Sequence, residues 1–200
     1  MAFSNRPIEK VIVEISNLGE FSEAKINTMR FVARTFASEI EKFIIMLVVF
    51  WFLSYQAHYL LAAFAVMTVR PTSGGFHSKT TLGCLLWTLS GFILAIFGLP
   101  YLVPLNSAVI MIAALFSILA NVTLAPLRSE QREKLADVTK DKNKKIILFI
   151  INSMWFSLIF LNQNHVLAPA VMWILFLQSF QLVAEYIRRL YQIKTKRKEV

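Results

Sequence analysis

The chain has 200 residues, of which 56% are hydrophobic and 16% are charged, and its mean hydropathy is +0.58. This composition is typical of a membrane protein and excludes an ordinary soluble globular domain. In a soluble protein the net charge of +9 would raise nucleic acid as a partner. Here the charges lie outside long apolar stretches, so we expect a lipid bilayer as partner and no nucleic acid.

Three stretches without Asp, Glu, Lys or Arg predict the membrane-embedded part of the chain. They cover residues 43–69, 80–127 and 146–184. A charge at the bilayer centre costs about 2.5 to 3.5 kcal/mol, and one helical crossing takes about 20 residues. The second and third stretches therefore each predict a helical hairpin, with reversals at "GLPYLVPLN" and "NQNH".

The first stretch, 43–69, is long for one crossing and short for two. The sequence "SYQAH" at 54–58 indicates a turn. One crossing would place the N-terminus outside, whereas two short helices would keep its six basic residues in the cytoplasm, as the positive-inside rule favours. We expect two helices. The same rule places the basic loop at 128–145 and the C-terminus in the cytoplasm.

The predicted fold is all-α, a polytopic helical bundle of about six membrane segments that forms one domain. Residues 1–42 form an amphipathic cytoplasmic N-terminal region, 43–187 the membrane bundle, and 188–200 a basic cytoplasmic tail. An amphipathic helix is predicted because apolar residues recur at helical spacing at Ile8, Val11, Ile12, Ile15 and Leu18. Its apolar face would cover the membrane, a partner subunit or the bundle itself.

Some polar side chains lie inside or near the predicted membrane spans. We expect such residues to form hydrogen bonds between helices rather than to take part in chemistry. They are Asn121, Asn152, Gln178 and Gln181. His58, His77 and His165 fall in three separate loops or turns, so we predict no metal site, and no motif indicates a cofactor.

The polar break "RPTSGGFHSKTTLGC", residues 70–84, contains the only cysteine. Thr80 and Thr81 are suitable N-cap residues for the next helix. Cys84 would then lie in or beside the first turn, where unpaired backbone N–H groups and the helix dipole favour a thiolate. A cysteine in a membrane helix is otherwise a small hydrophobic residue.

His77 precedes Cys84 by seven residues. In one straight helix this spacing is a rise of about 10.5 Å, which keeps imidazole and sulfur out of hydrogen-bond reach. We expect a loop opened by Pro71, in which Gly74 and Gly75 permit a fold back because glycine adopts positive φ without steric cost. An imidazole brought to a thiol is a recurrent way to form a thiolate nucleophile.

These residues resemble the signature of the accessory gene regulator B (AgrB) family, bacterial membrane cysteine endopeptidases that process quorum-sensing propeptides. The resemblance is carried by Arg70-Pro71, Gly74-Gly75, His77 and Cys84. It extends to the chain length, the charged amphipathic N-terminus, the number of membrane segments and a basic loop that begins "APLRSEQREK".

The resemblance implies a mechanism in which Cys84 is the nucleophile and His77 the general base. The C-terminal part of a short propeptide is cut off, and the upstream part remains as an acyl-enzyme thioester. Ring closure onto a Cys or Ser of the propeptide then releases a thiolactone or a lactone. The resemblance also implies a homodimer in the bacterial cell membrane, with the catalytic pair at the cytoplasmic side.

Four basic residues are candidates for binding an acidic C-terminal segment of the propeptide: Arg70, Lys79, Arg128 and Arg132. The alternative is that these are solvated cytoplasmic charges without a binding role. A different functional class, a non-enzymatic membrane peptide exporter or channel subunit, would be expected to carry intramembrane charges or interrupted helices. The exporter leaves the spacing of His77 and Cys84 unexplained, so we rank it lower.

Overall fold

The computed structural model describes residues 14, 23–74, 80–125 and 138–198. In this part of the chain the secondary structure is helical, which confirms the predicted all-α fold. The helices are α1 (Glu23–Phe52), α2 (Gln56–Ser73), α3 (Thr81–Ile93), α4 (Leu99–Leu102), α5 (Ser107–Leu124), α6 (Val138–Leu161) and α7 (Ala168–Lys198). A π-helical segment, Leu94–Gly98, joins α3 to α4 without a break.

Among the described residues, four helical segments are long and apolar enough to cross a membrane. They are Leu82–Leu102, Ser107–Leu124, Lys142–Leu161 and Ala168–Gln192. These segments form the two predicted hairpins, and the chain reverses at 103–106 and 162–167, within or beside the predicted turns. The chain is therefore a membrane protein, while the predicted total of about six segments goes beyond these four.

The first apolar stretch is divided as predicted, because the chain turns at Leu53–Tyr55 and Ser54 adopts a positive φ of 63°. The expectation of two short helices is wrong for α1, which has 30 residues and begins at Glu23. Its charged half does not interrupt the helix because Ala, Glu and Lys are good helix formers. The predicted amphipathic helix at 8–18 lies outside the described residues, apart from position 14.

The side-chain contacts fix the direction of the helices. Helices α1 and α3 run parallel, because Lys42 approaches Cys84 and, eight residues further along both helices, Phe50 packs on Phe92. At one end of the bundle the turns lie together, as shown by the contact of Tyr55 with Phe97. The chain segments on either side of the polar break therefore lie at the opposite end.

A second parallel pair completes the arrangement. The Ser107 hydroxyl donates to Gln163 at 3.1 Å near the start of both α5 and α7. The Asn121 amide donates to Ser179 at 2.9 Å, further along both helices. This last contact confirms the prediction that Asn121 bonds between helices.

Asn152 differs from that prediction. Its amide donates to the Leu148 carbonyl of its own helix at 2.8 Å. A side-chain amide in an apolar setting satisfies its donor with the nearest carbonyl, which is four residues back in the same helix. His58 also departs from its expected place in a turn, because it lies within α2.

Helix α7 is the central helix of the bundle. In an apolar 18-residue window of its segment Ala168–Gln192, 56% of the residues are buried, against 22% to 28% in the corresponding windows of the other three segments. The outward faces of the helices carry large exposed apolar side chains such as Phe64, Ile112, Leu115 and Phe149. Such a surface is typical of helices that face lipid, where apolar side chains incur no exposure penalty.

Candidate active site around Cys84

Helix α3 begins at the point that the sequence predicts, with Thr80 as its N-cap. The Thr80 side chain accepts a hydrogen bond from the Gly83 backbone N–H at 3.1 Å. The Cys84 N–H donates to the Thr80 carbonyl at 3.0 Å, which closes the first helical turn. Cys84 therefore lies at the positive end of the α3 dipole, as expected.

The Cys84 side chain is buried, with 8% of its surface exposed. On its other side along the helix, the Thr88 hydroxyl donates to the Cys84 carbonyl at 2.8 Å. Both bonds fix the backbone that carries the sulfur. The thiol is thus held at one end of the bundle in a site with little exposed surface.

The preceding helix ends at a glycine whose backbone only glycine adopts readily. Gly74 has φ 77° and ψ −153°, and its N–H donates to the Arg70 carbonyl. A side chain at this φ would be strained, so Gly74 has the positive φ that the sequence predicts, while its role in folding the chain back stays a prediction. Gly75 lies outside the described residues.

The end of α2 is tied to the central helix. The Gln178 amide donates to the Gly74 carbonyl at 3.1 Å, and the adjacent Ser73 is completely buried. This contact confirms that Gln178 bonds between chain segments. It fixes the residue from which the chain leaves for the His77 segment.

The predicted loop begins later than the sequence indicates. Arg70 and Pro71 belong to the last turn of α2, which continues to Ser73, so Pro71 does not open the loop. Pro71 has no N–H to donate to the carbonyl four residues earlier, which weakens the helix at this point, and α2 ends two residues later at Ser73. Arg70 is half-buried at this end of α2.

Lys42 of α1 is a site residue that the sequence does not reveal. Its ammonium Nζ donates to Cys84 Sγ at 3.6 Å, across 42 positions of the chain. Lys42 is 7% exposed and also forms an ion pair with Glu39, one turn earlier. No local motif indicates this contact, because it depends on the parallel packing of α1 and α3.

The other predicted site residues, His77, Lys79, Arg128 and Arg132, lie outside the described residues. The structure therefore brings Cys84, Gly74 and Arg70 to the same end of the bundle. The functional roles of all the predicted site residues, these three included, stay predictions.

Comparison with known proteins identifies the family. The model of the accessory gene regulator B family matches residues 6–182. The chain belongs to the AgrB family. An AgrB-like protein of Clostridium beijerinckii is 24% identical to it over 162 residues, which cover 81% of this chain and 79% of that protein. No solved structure matches.

Membership gives the coarse function. AgrB proteins belong to the accessory gene regulator system, in which quorum-sensing peptides are processed, and the family is peptidase-like. The matched region contains the whole polar break at 70–84 and both predicted hairpins, except for the end of α7.

Proposed function

We propose that this AgrB-family chain is a membrane cysteine endopeptidase that cleaves a short quorum-sensing propeptide and promotes its cyclisation. The observation that carries the proposal is the placement of Cys84. It lies in the capped first turn of α3 with a buried ammonium group at its sulfur. Such an electropositive setting is characteristic of reactive cysteines, whereas a structural cysteine lies among apolar side chains.

In the first half of the reaction, the Cys84 thiol gives its proton to the His77 imidazole. The thiolate attacks the carbonyl carbon of the scissile peptide bond, which forms a C–S bond and an oxyanion. When the C–N bond breaks, the carbonyl re-forms and the imidazolium gives its proton to the leaving amine. The C-terminal fragment departs, and the upstream part stays on Cys84 as a thioester.

In the second half, a Cys or Ser side chain of the bound peptide attacks the thioester. Its proton passes through His77 to the departing Cys84 sulfur, which restores the thiol and releases a thiolactone or a lactone. Attack by a tethered group is favoured over water, because positioning supplies an effective molarity of about 10⁵ to 10⁸ M. The low exposure of Cys84 supports this outcome, since it limits access of water to the thioester.

The substrate is proposed to carry an acidic C-terminal segment. Arg70 supports this proposal, because its charge lies in the last turn of α2, four residues before the C-cap Gly74. Lys79, Arg128 and Arg132 are proposed to extend the same basic surface. A guanidinium group binds carboxylates through paired hydrogen bonds, so it can hold such a segment in register.

The proposed orientation places the Cys84 end of the bundle and the C-terminus in the cytoplasm of a bacterial cell. The excess of Lys and Arg at 128–145 and in the tail supports this orientation. A cytoplasmic propeptide then reaches a thiol that its compartment keeps reduced. We also propose a homodimer, as expected from the family.

The test is a comparison of wild type, Cys84→Ala and His77→Ala in liposomes with synthetic propeptides that carry a Cys or Ser and an acidic C-terminal segment. Mass spectrometry should detect the C-terminal fragment and the cyclic product with wild type only. Fragment release by Cys84→Ala would refute the assignment of the nucleophile. Transport of intact peptide without cleavage would favour the exporter.

A further inference from the structure

The described part of the chain places a buried cation directly at the candidate nucleophile. The Lys42 ammonium is 3.6 Å from Cys84 Sγ, and Lys42 is 7% exposed. An ionised amine is costly to bury unless it is paired and hydrogen-bonded. Burial of the Lys42 ammonium on the inner side of α1 is therefore costly unless negative charge lies beside it.

The visible partner, Glu39, neutralises this charge only in part. Its side chain is 45% exposed, whereas that of Lys42 is 8% exposed. Water screens the exposed carboxylate, because interactions of solvated charges are weakened by the high dielectric constant. The ammonium, which has three donors, therefore keeps a positive field at the sulfur.

The other charges on helices packed against α3 do not cancel this field. Helix α3 itself lies within the stretch 80–127, which has no Asp, Glu, Lys or Arg. On α7 the Glu185 carboxylate accepts hydrogen bonds from Arg188 at 2.9 Å and Arg189 at 3.1 Å. This trio has two positive charges and one negative charge. On α1, Glu41 directly precedes Lys42 in the sequence, but side chains at adjacent positions of a helix do not face each other, so Glu41 is not placed to pair with the ammonium as Glu39 is.

We propose that Lys42 is a catalytic residue that stabilises the thiolate form of Cys84. The inference rests on the proposed function, in which Cys84 is the nucleophile. The thiol proton goes to His77, as above, and the ammonium keeps all its protons throughout. Lys42 holds the negative charge of the sulfur until the C–S bond forms, and again when the sulfur leaves the thioester.

A purely structural role for Lys42 predicts a different result. If the lysine only anchored α1 on α3, its removal would lower stability and leave the ionisation of the thiol unchanged. A charge effect is measured directly, because Cys84 is the only cysteine of the chain. The reaction of the whole protein with iodoacetamide therefore reports on this one thiol.

The experiment measures the alkylation rate against pH for the full-length protein in nanodiscs. Lys42→Met should move the midpoint of the profile about one to three pH units upward, the range for an opposite charge at this distance. At pH values below the midpoint, each pH unit of upward shift lowers the fraction of Cys84 thiolate tenfold. Lys42→Arg should keep a midpoint near wild type. Lys25→Met, the same change on an exposed residue of α1, should have no effect.

An unchanged midpoint in Lys42→Met would overturn the proposal. Where alkylation of the buried thiol is slow, thiolate ultraviolet absorbance, taken as the difference from Cys84→Ser, gives the same midpoint. If Lys42→Met does not fold, Glu39→Gln replaces it. Loss of this carboxylate strengthens the positive field at the sulfur, so the alkylation midpoint of Glu39→Gln must lie below that of wild type. A midpoint at or above the wild-type value contradicts the proposal.

The measurement needs no propeptide, so the two proposals fail separately. If the midpoint shifts but the protein cleaves no propeptide, the effect of Lys42 on the ionisation of Cys84 stands and the endopeptidase proposal is refuted. If the protein cleaves the propeptide but Lys42→Met leaves the midpoint unchanged, the endopeptidase proposal stands and the proposed role of Lys42 is refuted.

Discussion

Thr80 controls the helix end on which Cys84 lies. Replacing it with Ala removes the acceptor of the Gly83 N–H, and loss of an N-cap costs about 1 kcal/mol. We expect Thr80→Ala to lower the melting temperature and the rate of propeptide cleavage. Ser90→Ala is the control, since Ser90 is exposed and its hydroxyl only donates to the Trp87 carbonyl of its own helix. Equal behaviour of the two variants would contradict the account.

Arg70 is predicted to bind the acidic C-terminal segment of the propeptide. Charge reversal in Arg70→Glu should lower kcat/KM about tenfold or more for a propeptide with an acidic C-terminal segment, because a hydrogen bond to a charged group contributes about 1.5 to 3 kcal/mol. A propeptide with a neutral segment should show a much smaller loss. Steady-state cleavage of both peptides tests this prediction. The same loss for both peptides would show that Arg70 serves the fold instead.

At the scale of elements, the contact between α7 and the end of α2 is predicted to position the His77 segment. Gln178→Leu removes the bond to the Gly74 carbonyl. A hydrogen bond inside a membrane protein contributes about 0.6 kcal/mol on average and up to about 1.7 kcal/mol. Cleavage should therefore fall about threefold to twentyfold.

The matched control for this prediction is Gln163→Leu. It also removes one glutamine side-chain hydrogen bond, which Gln163 accepts from the Ser107 hydroxyl, at the opposite end of the bundle. This variant should lose a similar amount of thermal stability and keep its cleavage rate. If both variants lose cleavage equally, the effect comes from stability and the positioning role is wrong.

The sequence predicts those elements that depend on local composition. The absence of charge at 80–127 and 146–184 is sufficient for both hairpins, because a charge in lipid is costly wherever it stands. The same rule does not locate the start of α1. This helix begins at Glu23, well before the uncharged stretch, and Lys42 is buried in it beside Cys84 with Glu39 as its ion-pair partner. Pro71 misleads for a different reason, because α2 continues for two residues beyond it.

In the candidate site too, some residues can be predicted from the local sequence and others depend on tertiary packing. Cys84, its cap Thr80 and Gly74 are recognisable from residue types over a short segment. The contact of Lys42 with Cys84 is not, because 42 residues and a turn separate the two positions. Only the tertiary packing of α1 on α3 brings them together, so no periodicity in the sequence can indicate it.

For the whole molecule, the arrangement of turns predicts a topology that labelling can check. In a Cys84→Ala background, Asn164→Cys lies in the turn 162–167 and should react with an impermeant maleimide from outside the cell. Asn5→Cys should react only after the membrane is opened, because the proposed six crossings would keep both termini in the cytoplasm. Reaction of Asn5→Cys from outside would mean an odd number of crossings and a different position for the site.

The central claim is that Cys84 carries the peptide as a thioester. The most direct measurement is intact-protein mass spectrometry of full-length protein in liposomes, quenched in acid shortly after a propeptide is added. We expect a mass increase equal to the upstream part of the propeptide, mapped to Cys84 and removed by hydroxylamine. Cys84→Ser should give an adduct that hydroxylamine does not remove, or none. Release of the C-terminal fragment from wild type without any adduct on Cys84 would contradict the account.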